Sequence, residues 1–282
     1  MPELPEVEIT ARRLDRALKG AAVDSVVARG MVTMKTVAPP LEALDGREVE
    51  GVRRIGKMLV VEFEQLALLV HLMSAGRLQL FDKRASVKDR TARLLVRLAG
   101  GRELRLREFG TQQRAWAKLL ETSEIAAQEE VAKLGPEAWP APPADVFAEA
   151  VADQRHLHSL LRDQRVVAGI GRSWIDEILW EARLSPFQKG SELSPEAVDE
   201  LRTTCERVLD RALDHYEEVI GDVVPDKLPM PLRVHRRQGE PCPRCGATLE
   251  AVHYKDYVMT YCPPEQSAGK IYKDRRLSRL LK

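Results

Sequence analysis

The hydrophobic pattern changes its period once along this chain, and that change sets the architecture. Between residues 23 and 120, short alternating or apolar runs follow one another: 23–28 (VDSVVA), 47–54, 57–63 (KMLVVEF), 67–72 (ALLVHL), 77–81, 93–98 (RLLVRL), 103–107 and 114–120. Glycines and charged turns separate them. Runs of that length and spacing predict a β-sandwich or barrel. Ahead of them, EVEITARRLDRALKG places Val7, Ala11, Leu14 and Leu18 on one helical face and stops at Gly20, so a helix caps the sheets. The segment LGPEAWPAPPAD (134–145) is proline-rich and reads as a linker. Beyond it, VFAEAVAD, HLHSLLRD, RSWIDEILWEA and SPEAVDELRTTCERVLDRALDHYEEV show three- and four-residue apolar spacing. Ser194-Pro195-Glu196 reads as an N-cap followed by proline at the first helical position. A second break falls at GDVVPDKLPMP (221–231). The expected fold class is α+β: a β-sandwich capped by the first helix over 1–133, a helical region over 134–232, and a small C-terminal piece over 233–282.

Composition narrows the class. With 44% hydrophobic and 31% charged residues in 282, the chain can form a core without staples. No run of 18 apolar residues exists, so a membrane span is not expected. MPELPEVEITARR carries acids where a secretory signal carries bases, so a cytoplasmic location is expected. Four cysteines, two of them in Cys242-Pro-Arg-Cys245, point to metal rather than disulfides there. The net charge of +1 conceals +3 over 1–132, −8 over 133–232 and +6 over 233–282. A basic end on a near-neutral chain suggests a local contact with a polyanion, a solvated tail being the alternative. That end, with Lys270, Lys273, Arg275, Arg276 and Arg279, is too short for a core of its own, so a metal would be physically useful.

The first residues carry a specific chemistry. Removal of Met1 would make Pro2 a free secondary amine. An α-amino group titrates near 8, so an appreciable fraction is neutral and nucleophilic at pH 7. Its attack on an aldehyde-level carbon gives an iminium, an electron sink for expelling a β leaving group. Glu3 stands beside it to move protons. Alone, Pro-Glu-Leu-Pro-Glu reads first as a helix entry with N-terminal acids.

PELPEVE, the run LLRDQRVVAGIGRSWIDEILWEARLSP and the C-terminal cysteines together resemble the formamidopyrimidine-DNA glycosylase/endonuclease VIII family over essentially the whole chain. The resemblance implies a base-excision-repair enzyme acting on damaged double-stranded DNA. It would be both a DNA glycosylase and an abasic-site lyase, a nucleoid-associated cytoplasmic monomer. Pro2 would form the Schiff base with C1′ of the damaged nucleotide, and Glu3 would donate and accept protons. Lys57 matches the lysine that reaches the DNA backbone, and His71 the histidine before a strand turn. Met73, Arg107 and Phe109 are candidates to fill the gap left by an everted nucleotide. The usual methionine stands one place later, where this chain has Ser74, and an Asp-Pro before Arg-x-Phe-Gly is missing.

The central run resembles the helix–two-turns–helix motif. Gly169 and Gly171 permit a tight turn, and the N–H groups of the next helix start can hold a phosphate. Here Arg172 replaces the family's asparagine, Trp174 its tyrosine, and His158 a lysine. Arg172 still offers charge, with different geometry. Arg237 keeps the family position, whereas Tyr257 replaces an arginine. The loop at 219–231 lacks the Gly-Gly-Thr-Thr of the formamidopyrimidine branch, which shifts the expected lesion towards pyrimidine or mixed lesions, as in the endonuclease VIII branch.

Cys242-Pro-Arg-Cys245 and Cys262-Pro-Pro-Glu265 resemble the family's zinc β-hairpin, with Glu265 in place of the fourth cysteine. The expectation is one structural Zn2+ held by Cys242, Cys245, Cys262 and Glu265; His253, water or no metal are the alternatives. Cys205 lies in a helical core pattern and reads as packing. Two other functions compete: a non-enzymatic DNA-binding protein on the same scaffold, motivated by the departures, and an RNA-binding protein, which leaves Pro2 and Glu3 unexplained.

Overall fold

The structure is a computed structural model that describes residues 2–30, 32–109, 112–255 and 257–272. Helix α1 (Leu4–Leu18) is followed by strands β1 (Val23–Ala28), β2 (Gly51–Ile55), β3 (Met58–Phe63), β4 (Leu66–His71), β5 (Gly76–Phe81), β6 (Ala92–Leu98), β7 (Glu103–Glu108) and β8 (Trp116–Glu121). They form two four-stranded sheets, ordered β1-β6-β7-β5 and β2-β3-β4-β8. Neighbouring strands pair antiparallel throughout. The strand starts and ends expected from sequence agree with these spans to within two residues, except that the 47–54 run becomes a strand only from Gly51; alternating β-branched and leucine residues leave one pleat register that buries them. Leu59, Val61 and Phe63 of β3 meet Leu94, Val96 and Leu98 of β6 in one core, which Val7, Ala11, Leu14 and Leu18 of α1 also enter. The four α1 positions singled out from periodicity are therefore all buried.

The remaining helices are α2 (Glu129–Ala132), α3 (Ala144–Val151), α4 (Leu157–Arg162), α5 (Arg172–Glu181), α6 (Pro195–Val219) and α7 (Pro263–Ser267). Strands β9 (Glu250–His253) and β10 (Val258–Tyr261) form a hairpin. No described helix is long and apolar enough to cross a membrane. The chain divides into two compact units, residues 1–132 with 213–229, and residues 133–212 with 230–282. The last turns of α6 thus belong to the first unit.

The proline-rich segment is not a linker. Ala138 is buried, its N–H donates to Ala168 O at 3.0 Å, and Trp139 Nε1 donates to Asp210 Oδ1 at 2.6 Å. Gly135 lies so close to Arg165 O and Val166 O that a Cβ would sit 2.5 Å from either. The segment is a fitted strap over the α4–α5 turn, and its prolines fix an extended path.

Within the second unit, α5 holds the chain that leads to β9 and β10. Glu177, almost fully buried, accepts the backbone N–H groups of Arg233 (3.0 Å), Val234 (2.8 Å) and His235 (2.8 Å). Asp176 Oδ2 accepts from Thr260 N at 3.0 Å and lies 2.7 Å from His235 Nδ1. Burial pushes the Glu177 carboxyl above its ordinary value against the pull of the three donors. Each such hydrogen bond to a charged acceptor contributes about 1.5–3 kcal/mol, and an orphaned buried donor costs more. Glu177→Ala is expected to lower stability by about 3 kcal/mol or more, with Glu177→Gln intermediate. Chemical denaturation followed by circular dichroism checks this; an alanine variant as stable as wild type would contradict it.

Candidate functional site

Glu3 occupies the N-cap of α1, with Pro5 in the first turn where a missing N–H costs nothing. Glu3 N donates to Glu6 Oε2 at 2.8 Å, closing a capping box. The other oxygen of Glu6 accepts from the Tyr216 hydroxyl at 2.7 Å. Glu3, Glu6 and Tyr216 are all buried. Burial first, and then the Glu6 carboxylate, pushes the Tyr216 phenol well above its ordinary value, so it stays a donor. Pro2 is half-buried beside them. Met1 lies outside the described residues.

The next element is tied to the same helix. Ile55 pairs with Met58 across a two-residue turn of Gly56 and Lys57, and Gly56 takes φ +56° there. Arg54 Nε reaches Glu8 Oε2 of α1 at 3.1 Å while its Nη1 donates to Gly56 O at 2.9 Å. Lys57 is thereby fixed at the hairpin tip and is itself largely buried. Met58 is the cross-strand partner of His71, and His71 of Trp116.

His71 is not a cation. Burial, and then the Lys57 ammonium, depress its pKa to about 4. Its Nδ1 accepts from Met73 N at 2.9 Å. The neutral ring thus braces the 72–76 turn, in which Met73 adopts φ +50°. Gly76 is required there, since a Cβ would meet Leu72 O at 2.4 Å. Phe109 N donates to Ala75 O at 3.3 Å, so the loops bearing Met73 and Phe109 lie side by side. The Arg107 guanidinium covers the Phe109 ring at 4.6 Å, and Phe109 is 46% exposed. Arg107 and Phe109 are thus in contact, and the turn that carries Met73 is tied to the backbone of Phe109.

Sequence reasoning missed the partner of that group. Arg77 and Arg107 face each other across β5 and β7, a like-charge pair that is unfavourable alone. Asp226 offsets it: its Oδ1 lies 3.0 Å from Arg107 Nη1 and accepts from Gln79 Nε2 at 3.0 Å, and its carbonyl accepts from Arg77 Nε at 2.6 Å. Nothing local to β5 or β7 announces a residue so distant in sequence. Arg54 and Tyr216 were missed for the same reason.

In the second unit, Gly171 is the N-cap of α5 and Arg172 its first residue. Gly169 takes φ +97°. Gln164 spans the turn, accepting from Gly169 N at 2.9 Å and donating to Ile170 O at 2.8 Å. His158 is not at the surface. It is 2% exposed, its Nε2 is 3.4 Å from Asp176 Oδ1, and its ring stacks on Tyr257 at 5.4 Å. Arg237 is 46% exposed and pairs with Glu240 at 2.9 Å. Of the basic end, Lys270 is exposed near the Tyr272 ring; Lys273, Arg275, Arg276 and Arg279 lie outside the described residues.

The Sγ atoms of Cys242, Cys245 and Cys262 lie within 4.8 Å of one another, a group that could hold a metal ion. Trp180 Nε1 donates to Cys242 Sγ at 3.3 Å, and with the N–H groups of Cys245 and Arg244 it outweighs burial to bring that thiol down to about 7. Donors aimed at sulfur stabilise thiolate, the form that ligates. Glu265 is not in the group. Its Oε2 lies 3.0 Å from Arg244 Nη1 and 3.3 Å from Arg183 Nε. Two guanidiniums, one stacked on Trp180 at 4.2 Å, hold the carboxylate elsewhere. His253 is in β9 and outside the group as well. Cys205 is fully buried, and burial alone raises its thiol to about 12, as suits packing.

Residues 1–114 match the model of the Formamidopyrimidine-DNA glycosylase N-terminal domain and residues 134–222 that of the Formamidopyrimidine-DNA glycosylase H2TH domain. A formamidopyrimidine-DNA glycosylase of Pelobacter propionicus is 33% identical, the match covering 93% of this chain and 98% of that one. One from Exiguobacterium sibiricum is 30% identical over 95% and 100%. The fold is similar, with a TM-score of 0.83, to that of the Lactococcus lactis Fpg solved with a DNA containing N7-benzyl-Fapy-dG. That structure is 25% identical and covers 94% of this chain and 100% of its own. Fold and sequence therefore define one class, a two-sheet sandwich followed by an H2TH domain and a cysteine-bearing hairpin. The chain belongs to the formamidopyrimidine-DNA glycosylase family.

The neutral state of His71 has a pH signature. Its folded pKa of about 4 lies below the ordinary 6.5, so the unfolded chain takes up the proton first. The stability involved is complete above about pH 6.5 and is lost as pH falls towards 4, by about 3 kcal/mol. His71→Asn keeps an acceptor for Met73 N–H and should flatten the fall in melting temperature over that window. A variant with the wild-type slope would show that His71 is not the group responsible.

Proposed function

We propose that this chain is a bifunctional DNA glycosylase and abasic-site lyase of base excision repair, with Pro2 as nucleophile. The observation that carries it is the buried arrangement at the start of α1, where Glu6 and Tyr216 hold Glu3 next to Pro2. Once Met1 is removed, the Pro2 nitrogen bonds to C1′ as the glycosidic bond breaks, and the base leaves with that electron pair and takes up a proton; the nitrogen then gives up its own proton and the C1′–O4′ bond breaks, O4′ taking a proton from Glu3, which leaves the iminium between C1′ and the Pro2 nitrogen. The iminium keeps its positive charge. Loss of a C2′ proton sends electrons into it and expels the 3′ phosphate; water later releases the amine. A second elimination at the 5′ phosphate follows the same logic. C1′ of a stacked nucleotide is out of reach of a terminal amine, so the nucleotide must be everted.

Lys57 holds a phosphate beside the reacting sugar, and Met73, Arg107 and Phe109 fill the vacated stack. His71 acts by bracing the Met73 turn. Gly171, Arg172 and Arg237 meet the DNA backbone, and His158 acts from beneath the surface. In this reading 1–133 is the catalytic part, 134–232 the helix–two-turns–helix part and 233–282 the metal-bearing part of a nucleoid-associated, cytoplasmic monomer. Damaged duplex is the substrate. Cys242, Cys245 and Cys262 would hold one structural Zn2+, which closes a segment too short to fold alone.

Borohydride trapping tests the chemistry. Wild-type protein lacking Met1 should give a covalent adduct with abasic-site duplex, and Pro2→Gly should lose at least about a hundredfold in trapping while still binding. No adduct from wild type removes the proposal, as does retention of Met1 in active protein by mass analysis. The metal has its own test. A chelator should lower the melting temperature and make three thiols reactive while buried Cys205 stays protected. Unchanged melting and thiol reactivity would mean no metal supports the fold. Asp226→Asn should raise duplex affinity several-fold at low salt by releasing Arg107; equal affinity would show that this ion pair does not compete with DNA.

A further inference from the structure

Tyr257, immediately before β10, is the centre of a stack. The His158 ring lies parallel to it within 5° at 5.4 Å, and the Tyr254 ring within 9° at 4.4 Å. Two guanidiniums converge on the same ring, Arg162 at 4.3 Å and Arg172 at 5.2 Å. Arg162 ends α4 and Arg172 begins α5, so two separate elements bring like charge to one place. The start of α5 adds the partial positive charge of a helix N-terminus. Other arginines of this unit meet carboxylates, Arg155 and Arg165 on Asp163, Arg244 on Glu265 and Arg237 on Glu240, and Arg172 makes further contacts besides the ring. Arg162 has no carboxylate within ion-pair distance among the described residues, and the ring face is the contact it makes. Beneath the ring, His158 is 2% exposed and its Nδ1 has no hydrogen-bond partner among the described residues. It serves as a flat support.

An aromatic face offsets part of the cost of holding a guanidinium still but does not neutralise it. A planar fork held flat on a ring keeps its N–H donors aligned for the oxygens of a phosphate diester. We propose that Arg162 and Arg172 form a site for a backbone phosphate of duplex DNA. Arg162 is a direct ligand, and Tyr257 is the positioning residue that fixes both guanidiniums. This rests on the DNA-binding reading above and adds to it the ligand Arg162 and the platform that orients it. His158, Arg172 and Tyr257, which separately depart from the family pattern, form a single contact set here. The cationic charge missing at 158 and 257 sits at 162 and 172.

The test uses the full-length, metal-loaded protein and an abasic-analogue duplex, with affinity read by fluorescence anisotropy across a salt series. Arg162→Gln should bind roughly tenfold more weakly and flatten the log affinity–log salt slope by about one, the signature of one lost phosphate contact. Tyr257→Ala should move both readouts the same way, whereas Tyr257→Phe, which keeps the ring, should match wild type. Arg162→Lys keeps the charge and should retain the slope while losing affinity, which covers the case of a glutamine variant that folds poorly. An unchanged slope and affinity in folded Arg162→Gln overturns the proposal, and so does a Tyr257→Phe variant that behaves like the alanine one. Millimolar inorganic phosphate at fixed ionic strength should leave wild-type affinity unchanged; strong competition would overturn the diester assignment in favour of a free-anion site. Wild-type trapping on abasic DNA is run in parallel. If it succeeds while Arg162→Gln is silent, the phosphate site alone fails. If wild type neither binds nor traps, the underlying reading fails.

Discussion

The carboxylate of Glu6 is the hinge of the first unit. One oxygen receives the N–H of Glu3 and the other the hydroxyl of Tyr216, both inside the protein. A buried carboxylate is costly unless its lone pairs are filled. Here filling them fixes the helix start, since the donors are the cap residue itself and a tyrosine near the end of α6. The rest of α1 is held in the same manner. Arg13 pairs with Glu217 and donates to Ile220 O and Gly221 O, and Glu8 meets Arg12 and Arg54. The start of α1 is thus placed by charged groups rather than by the apolar stripe alone. Apolar packing sets which face of α1 is inward but tolerates small axial shifts, whereas a two-point carboxylate does not.

The second unit uses the same device with different residues. Asp176 and Glu177 are adjacent on α5, and both turn inward to collect backbone N–H groups of 233–235 and Thr260. Backbone donors rather than side chains are the targets, so the contact specifies chain path more than residue identity. That is an economical way to dock a hairpin with little core of its own. The small cluster of Trp180, Val234, Cys242, Leu249 and Cys262 supplies the apolar part. Trp180 links the two functions, since it packs in that cluster and aims its N–H at the Cys242 sulfur.

Much of this was legible in the sequence wherever the information is local. Strand runs, the α1 face and the Gly-x-Gly turn follow from periodicity and from backbone conformations few residues adopt. What was not legible depends on partners far along the chain. The 134–145 segment has linker composition, yet Trp139 finds Asp210 and Ala141 finds Glu206, so it is structure. Glu265 has the spacing of a ligand, but spacing says nothing of Arg183 and Arg244, which take its carboxylate. His71 and His158 look alike as basic residues in a nucleic-acid-binding pattern. Burial makes one a neutral brace and the other a stacked support, and burial is a property of the fold.

The distribution of arginine extends the argument. Many guanidiniums in this chain serve as structural ties to a carboxylate or carbonyl, such as Arg13, Arg54 and Arg244, and their number alone would overstate the surface available to a polyanion. Arg77 and Arg107 illustrate it: two cations side by side in a sheet, closed off by Asp226. A polyanion must displace that carboxylate to use them, exchanging one anion for another at nearly equal distance. The gain is then set by how many further phosphates it brings, not by the strength of the first contact. Such an exchange discriminates against small anions, which offer one charge for one, and in favour of a long polymer that engages several sites at once.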